Sequence, residues 1–137
     1  MGDCIFCKIL AGEIEAKVLY EDDQTMALLD AFPLVEGHTL VIPKAHHEHL
    51  QDMPADVAQN WFQAIHQTVE KLQTAMEAQG MTVGLNNGKV AGQVVPHVHM
   101  HLIPRFENDN GGTLHSIINK SEQKSIDDVH KHLKRSF

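Results

Sequence analysis

The sequence PHVHMHLIP, residues 96–104, carries a histidine at every second position: His97, His99 and His101. Apolar residues stand between and after them. Because successive side chains of a β-strand point to opposite faces, a strand here would present three imidazoles on one face and apolar side chains on the other. The stretch therefore predicts a half-buried strand whose polar face is a candidate functional site.

Three neighbouring imidazoles are an uncommon way to fill a core, because each buried ring needs partners for both nitrogens and adjacent imidazolium cations repel one another. Two functional interpretations are open from the residues alone. Histidines at i and i+2 can chelate a metal ion, and a catalytic metal takes three protein ligands and keeps one open position. Alternatively, a neutral imidazole can attack an electrophilic phosphorus, while its neighbours stabilise oxygen charge and protonate the leaving group.

The loop LNNGKVAGQ, residues 85–93, precedes the three histidines (the triad) and favours phosphate chemistry. Its amide side chains and its flexible backbone can cradle phosphate oxygens. The residues concerned are Asn86, Asn87, Gly88, Gly92 and Gln93. No acidic residue lies between Glu77 and Glu107 to act as a local general base or a further metal ligand. Glycine with asparagine is also ordinary turn chemistry, so the loop supports a phosphate site only together with the triad.

Length and composition restrict the class of protein. The chain has 137 residues, which predicts a single domain, 1–137, with one core. Its 18 acidic and 11 basic residues give a net charge of -7, which argues against a nucleic acid as the main partner. No apolar run approaches the ~18 residues that span a bilayer, and charges interrupt the N-terminal apolar residues, so we expect no membrane partner and a cytoplasmic location. There, Cys4 and Cys7 would be metal ligands or a reactive pair.

Apolar periodicity predicts the other elements. A long helix is expected over residues 54–79, with Gly80 as its stop. Strands are predicted in KVLYEDD (17–23), TMALLDAFP (25–33), GHTLVIPK (37–44) and MTVGLNN (81–87), and short helices over 4–10 and 125–135. Three strands, a long helix and two more strands predict an α+β fold whose sheet of about five strands is largely an antiparallel meander. The third strand is expected to be buried on both faces.

Several blocks of the sequence resemble the histidine-triad (HIT) family. HVHMHLI matches the family signature of three alternating histidines followed by two apolar residues. The segments CIFCKILAGEIEAKVLYEDD, GHTLVIPKAH and GLNNGKVAGQVVPHVHMHLIPRF are similar, in the expected order, to the Hint and bacterial Hit type. The resemblance covers about 4–106 and leaves 107–137 as a tail. It is weaker to galactose-1-phosphate uridylyltransferases, which typically lack the third histidine.

The resemblance implies a HIT-like fold and an enzyme that hydrolyses or transfers nucleoside phosphates at the α-phosphorus, without an organic cofactor. His99 would be the nucleophile that forms a nucleotidyl-histidine, His101 would contact the phosphate and leaving group, and His38 would support the nucleophile. The ligand would be a purine nucleotide such as AMP. The implied nucleotide-binding positions are Asn86 and Gln93 at the phosphate, Asp30 at the ribose, and Ile5, Phe6, Ile9 and Leu28 around the base. Without the resemblance, Asp30 reads equally as a turn residue and the apolar four as ordinary core. The family's two-fold homodimer would form through the long helix and residues 81–86.

Val94 departs from the family pattern, because many members carry serine or threonine after the loop glutamine. A hydrogen bond from such a hydroxyl to a charged group contributes ~1.5–3 kcal/mol, so modest activity or a different leaving group is expected. Nucleoside phosphoramidates and dinucleoside polyphosphates are both candidate substrates. Two alternatives stay open: a metal-dependent hydrolase that uses the triad as ligands, and a nucleotide-binding regulatory protein with weak or vestigial catalysis.

Cys4 and Cys7 form a Cys-x-x-Cys pair, which alone fits half of a zinc site, a redox pair or two small buried residues. The segment PKAHHEHL, residues 43–50, offers three further histidines. In bacterial members with the same cysteine pair, the histidine of PKxH and the first triad histidine complete the set, which implies His46 and His97. Two thiolates and two neutral imidazoles balance the charge of Zn²⁺. The implied zinc is structural and leaves His99 free for phosphate.

Overall fold

Five strands and three α-helices form the regular part of the computed structural model, which describes residues 2–119 and 122–137. Met1, Lys120 and Ser121, which belong to the predicted domain 1–137, lie outside the described residues. The elements are α1 (Ile5–Leu10), β1 (Val18–Glu21), β2 (Thr25–Leu29), β3 (Thr39–Pro43), α2 (Ala55–Ala75), β4 (Gly80–Gly84), β5 (Met100–Arg105) and α3 (Ile126–Leu133). The predicted α+β class and the number of strands are confirmed.

The sheet has the strand order β1-β2-β3-β5-β4, and all neighbouring pairs are antiparallel. The first three strands form the predicted meander. The last two do not continue it, because β5 pairs with both β3 and β4 and leaves β4 at the edge. The long connection over 85–99 allows this crossover, since β5 can return past β4 to the centre. A central position in the sheet suits β5, because its alternate residues are buried.

The ladder of β5 begins at Met100, so the prediction of one regular strand over 96–104 is wrong at its start. His97 and His99 precede the paired residues, where the chain bends. The predicted alternation nevertheless holds. Val98 and Met100 belong to the apolar cluster beneath α2, whereas the Phe6 ring of the opposite cluster contacts the imidazoles of His97 and His99.

The helix α2 ends at Ala75, four residues before the expected position. The Met76 N–H still donates to the Leu72 carbonyl, and Glu77 then adopts a left-handed conformation with φ 52° that stops the helix. Gly80, the predicted stop, is instead the first residue of β4. Two other boundaries are also shorter than expected: β2 ends at Leu29, and β4 ends at Gly84.

Two apolar clusters cover the two faces of the sheet. On one face, α2 packs its buried residues against the sheet, and the Trp61 indole N–H donates to the Val41 carbonyl at 3.1 Å. On the other face, α1 and the centre of the sheet form the second cluster around Phe6. The strand β3 is buried on both faces, as predicted. The catalytic candidates therefore lie on the α1 face, away from the long helix.

The tail forms the predicted terminal helix, with the Ser125 hydroxyl accepting a hydrogen bond from the Asp128 N–H. Its apolar side, Ile126, Val129 and Leu133, is exposed. Within 107–119 and 122–137, every residue is exposed, so the described tail adds nothing to the core. No helix in the described ranges combines the length and apolar character that crossing a bilayer requires.

Candidate active site and metal centre

Strands β3 and β5 bring the catalytic candidates together. His38 immediately precedes β3, and His101 lies on β5 opposite Leu40. The ring centroids of His38 and His101 are 5.2 Å apart, and those of His99 and His101 are 5.0 Å apart. His38 and His99 are almost fully buried, whereas His101 is half-buried. The pairing of β3 with β5 therefore creates a row of three imidazoles.

Hydrogen bonds determine which nitrogen carries the proton in two of these rings. The Leu34 N–H donates to His38 Nδ1 at 3.1 Å, so the proton of a neutral His38 is on Nε2. That Nε2–H donates to His101 Nδ1 at 2.9 Å. His101 consequently carries its own proton on Nε2, which is free to donate to a ligand. The resemblance implied that His38 supports the nucleophile; the hydrogen bond runs to His101 instead.

His99 is held by its own segment of chain. Its Nδ1–H donates to the His97 carbonyl at 2.7 Å, which leaves the lone pair on Nε2. The Phe6 ring contacts the His99 ring edge-on, with centroids 5.1 Å apart. A rigidly oriented imidazole with an available Nε2 lone pair is the arrangement that a phosphorus nucleophile needs.

Burial favours the neutral form of His38 and of His101. It lowers the pKa of His101 to about 4, and the neighbouring His99 and His38 add to this effect. Burial also lowers the pKa of His38, partly offset by the carboxylate of Asp30. Asp30 Oδ2 lies 3.5 Å from His38 Nε2, and Oδ1 accepts the Phe32 N–H at 2.9 Å. Asp30 is thus connected to the histidine row, and its ribose contact stays a prediction.

The pKa of His101 predicts how stability changes with pH. The unfolded chain binds this proton near pH 6.5, whereas the folded protein binds it only near pH 4, so the free energy of unfolding should fall as the pH is lowered between these values. The free energy of unfolding is measured by urea unfolding at a series of pH values and a fixed zinc concentration. In His101→Gln, its slope against pH should be shallower by up to ~1.4 kcal/mol per pH unit. The exposed His66→Gln is the control. Parallel curves for wild type and His101→Gln would contradict the prediction.

The loop before the triad is organised by Gln93. Its side-chain oxygen accepts the Gly88 N–H at 2.7 Å, and its amide N–H groups donate to the Glu48 and Val95 carbonyls at 2.7 and 3.0 Å. Gly88 and the following Gly92 have φ near +95°, which favours glycine. Gln93 therefore shapes the loop, and its predicted nucleotide contact stays untested.

The remaining predicted phosphate contacts differ in placement. Asn86 is exposed beside Gly92, available to a ligand. The Asn87 side chain is engaged elsewhere, since it accepts the Leu50 N–H and donates to the Gln51 side chain, both at 2.9 Å. Val94 is exposed, so no packing depends on its methyl groups.

The four residues predicted to surround the base are only partly brought together. Phe6 and Leu28 are buried in one cluster, and Ile9 packs against its margin. Ile5 lies on the outer side of α1 and is 44% exposed. Phe6 contacts the triad through the rings of His97 and His99.

Cys4, Cys7, His46 and His97 offer one ligand atom each, and these four atoms lie within 4.8 Å of one another. His97 Nδ1 lies 3.5 Å from Cys4 Sγ and 3.7 Å from Cys7 Sγ, and His46 Nδ1 lies 3.2 Å from Cys7 Sγ. Tetrahedral zinc with ordinary bond lengths would separate sulfur and nitrogen ligands by about 3.6 Å. The four residues implied by the resemblance therefore fit a zinc ion.

The electrostatics of this cluster also suit a divalent cation. His97 Nε2–H donates to the Pro43 carbonyl at 2.8 Å, which turns the Nδ1 lone pair towards the sulfurs. Burial lowers the pKa of His97 to about 4 and raises the pKa of the Cys7 thiol, with Cys4 adding to the second effect. A cation between these groups would offset the cost of burying two thiolates.

Main-chain groups of Leu34, Pro43 and His97 set the orientation of three imidazoles, those of His38, His97 and His99. Sequence reasoning missed them because any residue type supplies an N–H or a carbonyl, so no side-chain pattern marks the positions. The Glu48 carbonyl that accepts from Gln93 is another example.

A HIT-domain family model matches residues 11–108, a span that contains the phosphate loop and the whole triad. The chain belongs to the HIT family. The resemblance read from the sequence is thereby confirmed. The matched span contains the five-stranded sheet and most of both candidate sites. The cysteine ligands and three of the predicted base contacts, Ile5, Phe6 and Ile9, precede it.

Relatives of this HIT protein include enzymes. An uncharacterised HIT-like protein of Methanocaldococcus jannaschii is 46% identical over 124 residues, which cover 90% of this chain and 92% of the relative. An adenosine 5'-monophosphoramidase of Candida albicans is 39% identical, covering 80% of this chain and 75% of the relative. An adenylylsulfatase of Arabidopsis thaliana is 40% identical over 79% of this chain, which spans 55% of that longer protein.

Solved HIT structures match the fold. A protein from Streptococcus mutans is 38% identical with a TM-score of 0.85, and the match covers 99% of this chain and 83% of that one. A zinc-bound histidine triad protein from Mycobacterium smegmatis is 36% identical with a TM-score of 0.72, covering 80% and 79%. The arrangement of sheet and helices is therefore that of the HIT fold.

Proposed function

We propose that this HIT protein hydrolyses or transfers nucleoside phosphates at the α-phosphorus through a covalent intermediate on His99 Nε2. The observation that carries the proposal is the bond from His99 Nδ1–H to the His97 carbonyl, because it leaves Nε2 as the attacking lone pair. The relatives named as an adenosine 5'-monophosphoramidase and an adenylylsulfatase support adenosine 5'-phosphate derivatives as the substrates. Nucleoside phosphoramidates and dinucleoside polyphosphates both belong to this class.

In the first step, the Nε2 lone pair of His99 forms a bond to the α-phosphorus, and the bond from phosphorus to the leaving group breaks. The His97 carbonyl stabilises the positive charge that develops on the His99 ring. His101 Nε2–H donates a hydrogen bond to a phosphoryl oxygen or to the leaving atom. Two consecutive hydrogen bonds, from the Leu34 N–H to His38 and from His38 to His101 Nδ1, keep the proton of His101 on Nε2.

In the second step, water attacks the phosphorus, the P–N bond breaks, and its electron pair returns to His99 Nε2. The nucleotide is released and the water's proton passes to solvent. Splitting one displacement into two steps lowers each barrier. We propose that Asn86 contacts the phosphate, that Asp30 contacts the ribose, and that Phe6, Leu28 and Ile9 lie beside a purine base, with Ile5 at the margin.

We also propose that Cys4, Cys7, His46 and His97 hold a structural zinc ion. The donor distances and the zinc-bound relative from Mycobacterium smegmatis support this assignment. Four protein ligands leave no open position, so the metal would stabilise the fold and would not activate a substrate.

We further propose that residues 1–137 form one domain, which pairs into a homodimer through α2 and the edge strand β4. Within the described sheet, β4 has a neighbour on one side only, so a second copy can extend it. Sedimentation at micromolar concentration tests the dimer, and a clean monomer would exclude it.

The activity is tested by phosphorus NMR with nucleoside phosphoramidates, dinucleoside polyphosphates and nucleotide sugars. We expect release of the nucleoside monophosphate from the first or second class, and brief chelation at low temperature should slow this release only slightly. Turnover that a chelator abolishes while His99 tolerates replacement would indicate a metal-dependent hydrolase. Tight AMP binding without turnover of any substrate would favour the regulatory alternative.

Val94→Ser is expected to raise kcat by about tenfold or more, because a hydroxyl at this position can stabilise charge in the transition state. KM should change little, and stability should be retained because Val94 is 89% exposed. Val90→Ser, at another fully exposed valine of the same loop, is the matched control. Unchanged or lower turnover with an intact fold would show that another group already fills this role.

A further inference from the structure

His97 and the first turn of α1 each belong to the metal cluster and also contact the proposed nucleophile, His99. His97 provides Nδ1 to the cluster and its carbonyl to His99. Phe6 stands between Cys4 and Cys7 in α1, and its ring contacts both His97, at 5.8 Å, and His99, at 5.1 Å. The turn that carries the cysteine pair is thus in direct contact with the His99 ring through Phe6.

Cys4 and Cys7 are also placed to react with each other. Cys4 caps α1 and accepts the Cys7 N–H, with 3.5 Å between nitrogen and sulfur, and the two sulfur atoms lie within 4.8 Å of each other. A Cys-x-x-Cys pair at a helix N-terminus can close a disulfide without unfolding the helix. Cys4 is buried, whereas Cys7 is half-buried and can be reached by a small oxidant. The asymmetry makes Cys7 the attacking thiolate and Cys4 the resolving one.

We propose that Cys4 and Cys7 are a peroxide-sensitive modification site whose oxidation releases the zinc ion and lowers the reactivity of His99. The effect on turnover rests on the proposed function; the chemistry at the cysteines and the change at the His99 ring do not.

The oxidation balances with hydrogen peroxide as the oxidant and solvent as the source of two protons. The Cys7 thiolate attacks one peroxide oxygen, an S–O bond forms, the O–O bond breaks, and the departing oxygen takes a proton to become water. The Cys4 thiolate then attacks the Cys7 sulfur, an S–S bond forms, and the second oxygen leaves as water after taking another proton. Two thiolates lose two electrons in all, and the disulfide is no longer a ligand pair for zinc.

The geometric change is large on the scale of the site. Tetrahedral zinc would hold the two sulfurs about 3.8 Å apart, whereas a disulfide brings them to ~2.05 Å. Phe6 lies in the turn that must contract, and its ring is buried. Displacing its ring removes the edge contact that restricts His99, so the imidazole loses part of its alignment for attack.

The test treats the zinc-loaded protein with low concentrations of hydrogen peroxide and follows four quantities. They are zinc release to a chromogenic chelator, the mass of the N-terminal peptide, the imidazole proton signals of His99, and turnover. We expect one zinc ion per disulfide, a loss of two hydrogens from that peptide, shifted His99 signals and at least tenfold slower turnover. A dithiol with added zinc should restore all four.

Two controls distinguish the effect of the disulfide from the effect of losing zinc. Chelation without oxidant removes the metal and should slow turnover at low temperature far less than the disulfide does. Cys4→Ser cannot form the disulfide, so peroxide should leave its own untreated rate and His99 signals unchanged.

Three outcomes would overturn the inference: a disulfide that leaves the His99 signals unmoved, methionine oxidation before any disulfide, or chelation that reproduces the full loss of turnover. If no substrate turns over even before oxidation, the proposed function fails, while zinc release, peptide mass and the His99 signals still decide the inference.

Discussion

His99→Ala is expected to lower kcat by at least about a thousandfold, which corresponds to ~4 kcal/mol of lost transition-state stabilisation. The loss should be this large because the substitution removes the atom that would form the bond to phosphorus. No other imidazole can replace it readily: His101 Nδ1 is occupied by His38, and His97 is directed at the cysteines. Binding of AMP should persist, since the predicted ribose and base contacts are unchanged.

The measurement combines steady-state kinetics with trapping of the intermediate from a labelled substrate. In the wild type, rapid denaturation should leave the nucleotide on the peptide that contains residue 99. His66→Ala removes an exposed histidine of α2 and serves as the matched control. Near-wild-type turnover in His99→Ala, or a label mapped to another residue, would end the assignment.

Cys4→Ser is expected to have the largest effect on stability. Zinc at a thousandfold excess over its dissociation constant would add ~4 kcal/mol to the free energy of unfolding of the wild type. Loss of the site in the variant should therefore lower Tm by roughly 10–20 °C. At low temperature, the fall in kcat, expressed as a free energy, should be smaller than the loss in the free energy of unfolding. The reason is that the substitution leaves His99 and its bond to the His97 carbonyl in place.

Elemental analysis of protein purified without chelator should find about one zinc per chain, and far less in Cys4→Ser. Thermal unfolding with and without added zinc measures the stability difference. His49→Ala is the control, because His49 lies in the same histidine-rich segment but pairs with Asp52 at 3.1 Å and not with the cysteines. Wild-type protein with well under half an equivalent of metal, or equal Tm values for wild type and Cys4→Ser, would refute the zinc site.

Local patterns in the sequence determined the faces of the main elements and the family of this protein. The alternation of His97, His99 and His101 predicted which side chains share a face, and the apolar spacing of α2 predicted its buried side. The signature and the neighbouring blocks identified the HIT family. These features were readable because strand and helix periodicities, and the spacing of a motif, depend only on residues close together in the chain.

Only the tertiary structure decided the relations between distant segments. The insertion of β5 between β3 and β4 depends on sheet pairing, which the order of elements does not specify. The same pairing places His38 against His101, 63 residues away, and the cluster brings Cys4 to His97 across 93 residues. Main-chain groups determine which nitrogen is available in His38, His97 and His99, as the Pro43 carbonyl does for His97. Hydrogen bonding to the backbone carries no residue-type signal, so the chemistry of each ring became defined only when the chain had folded around it.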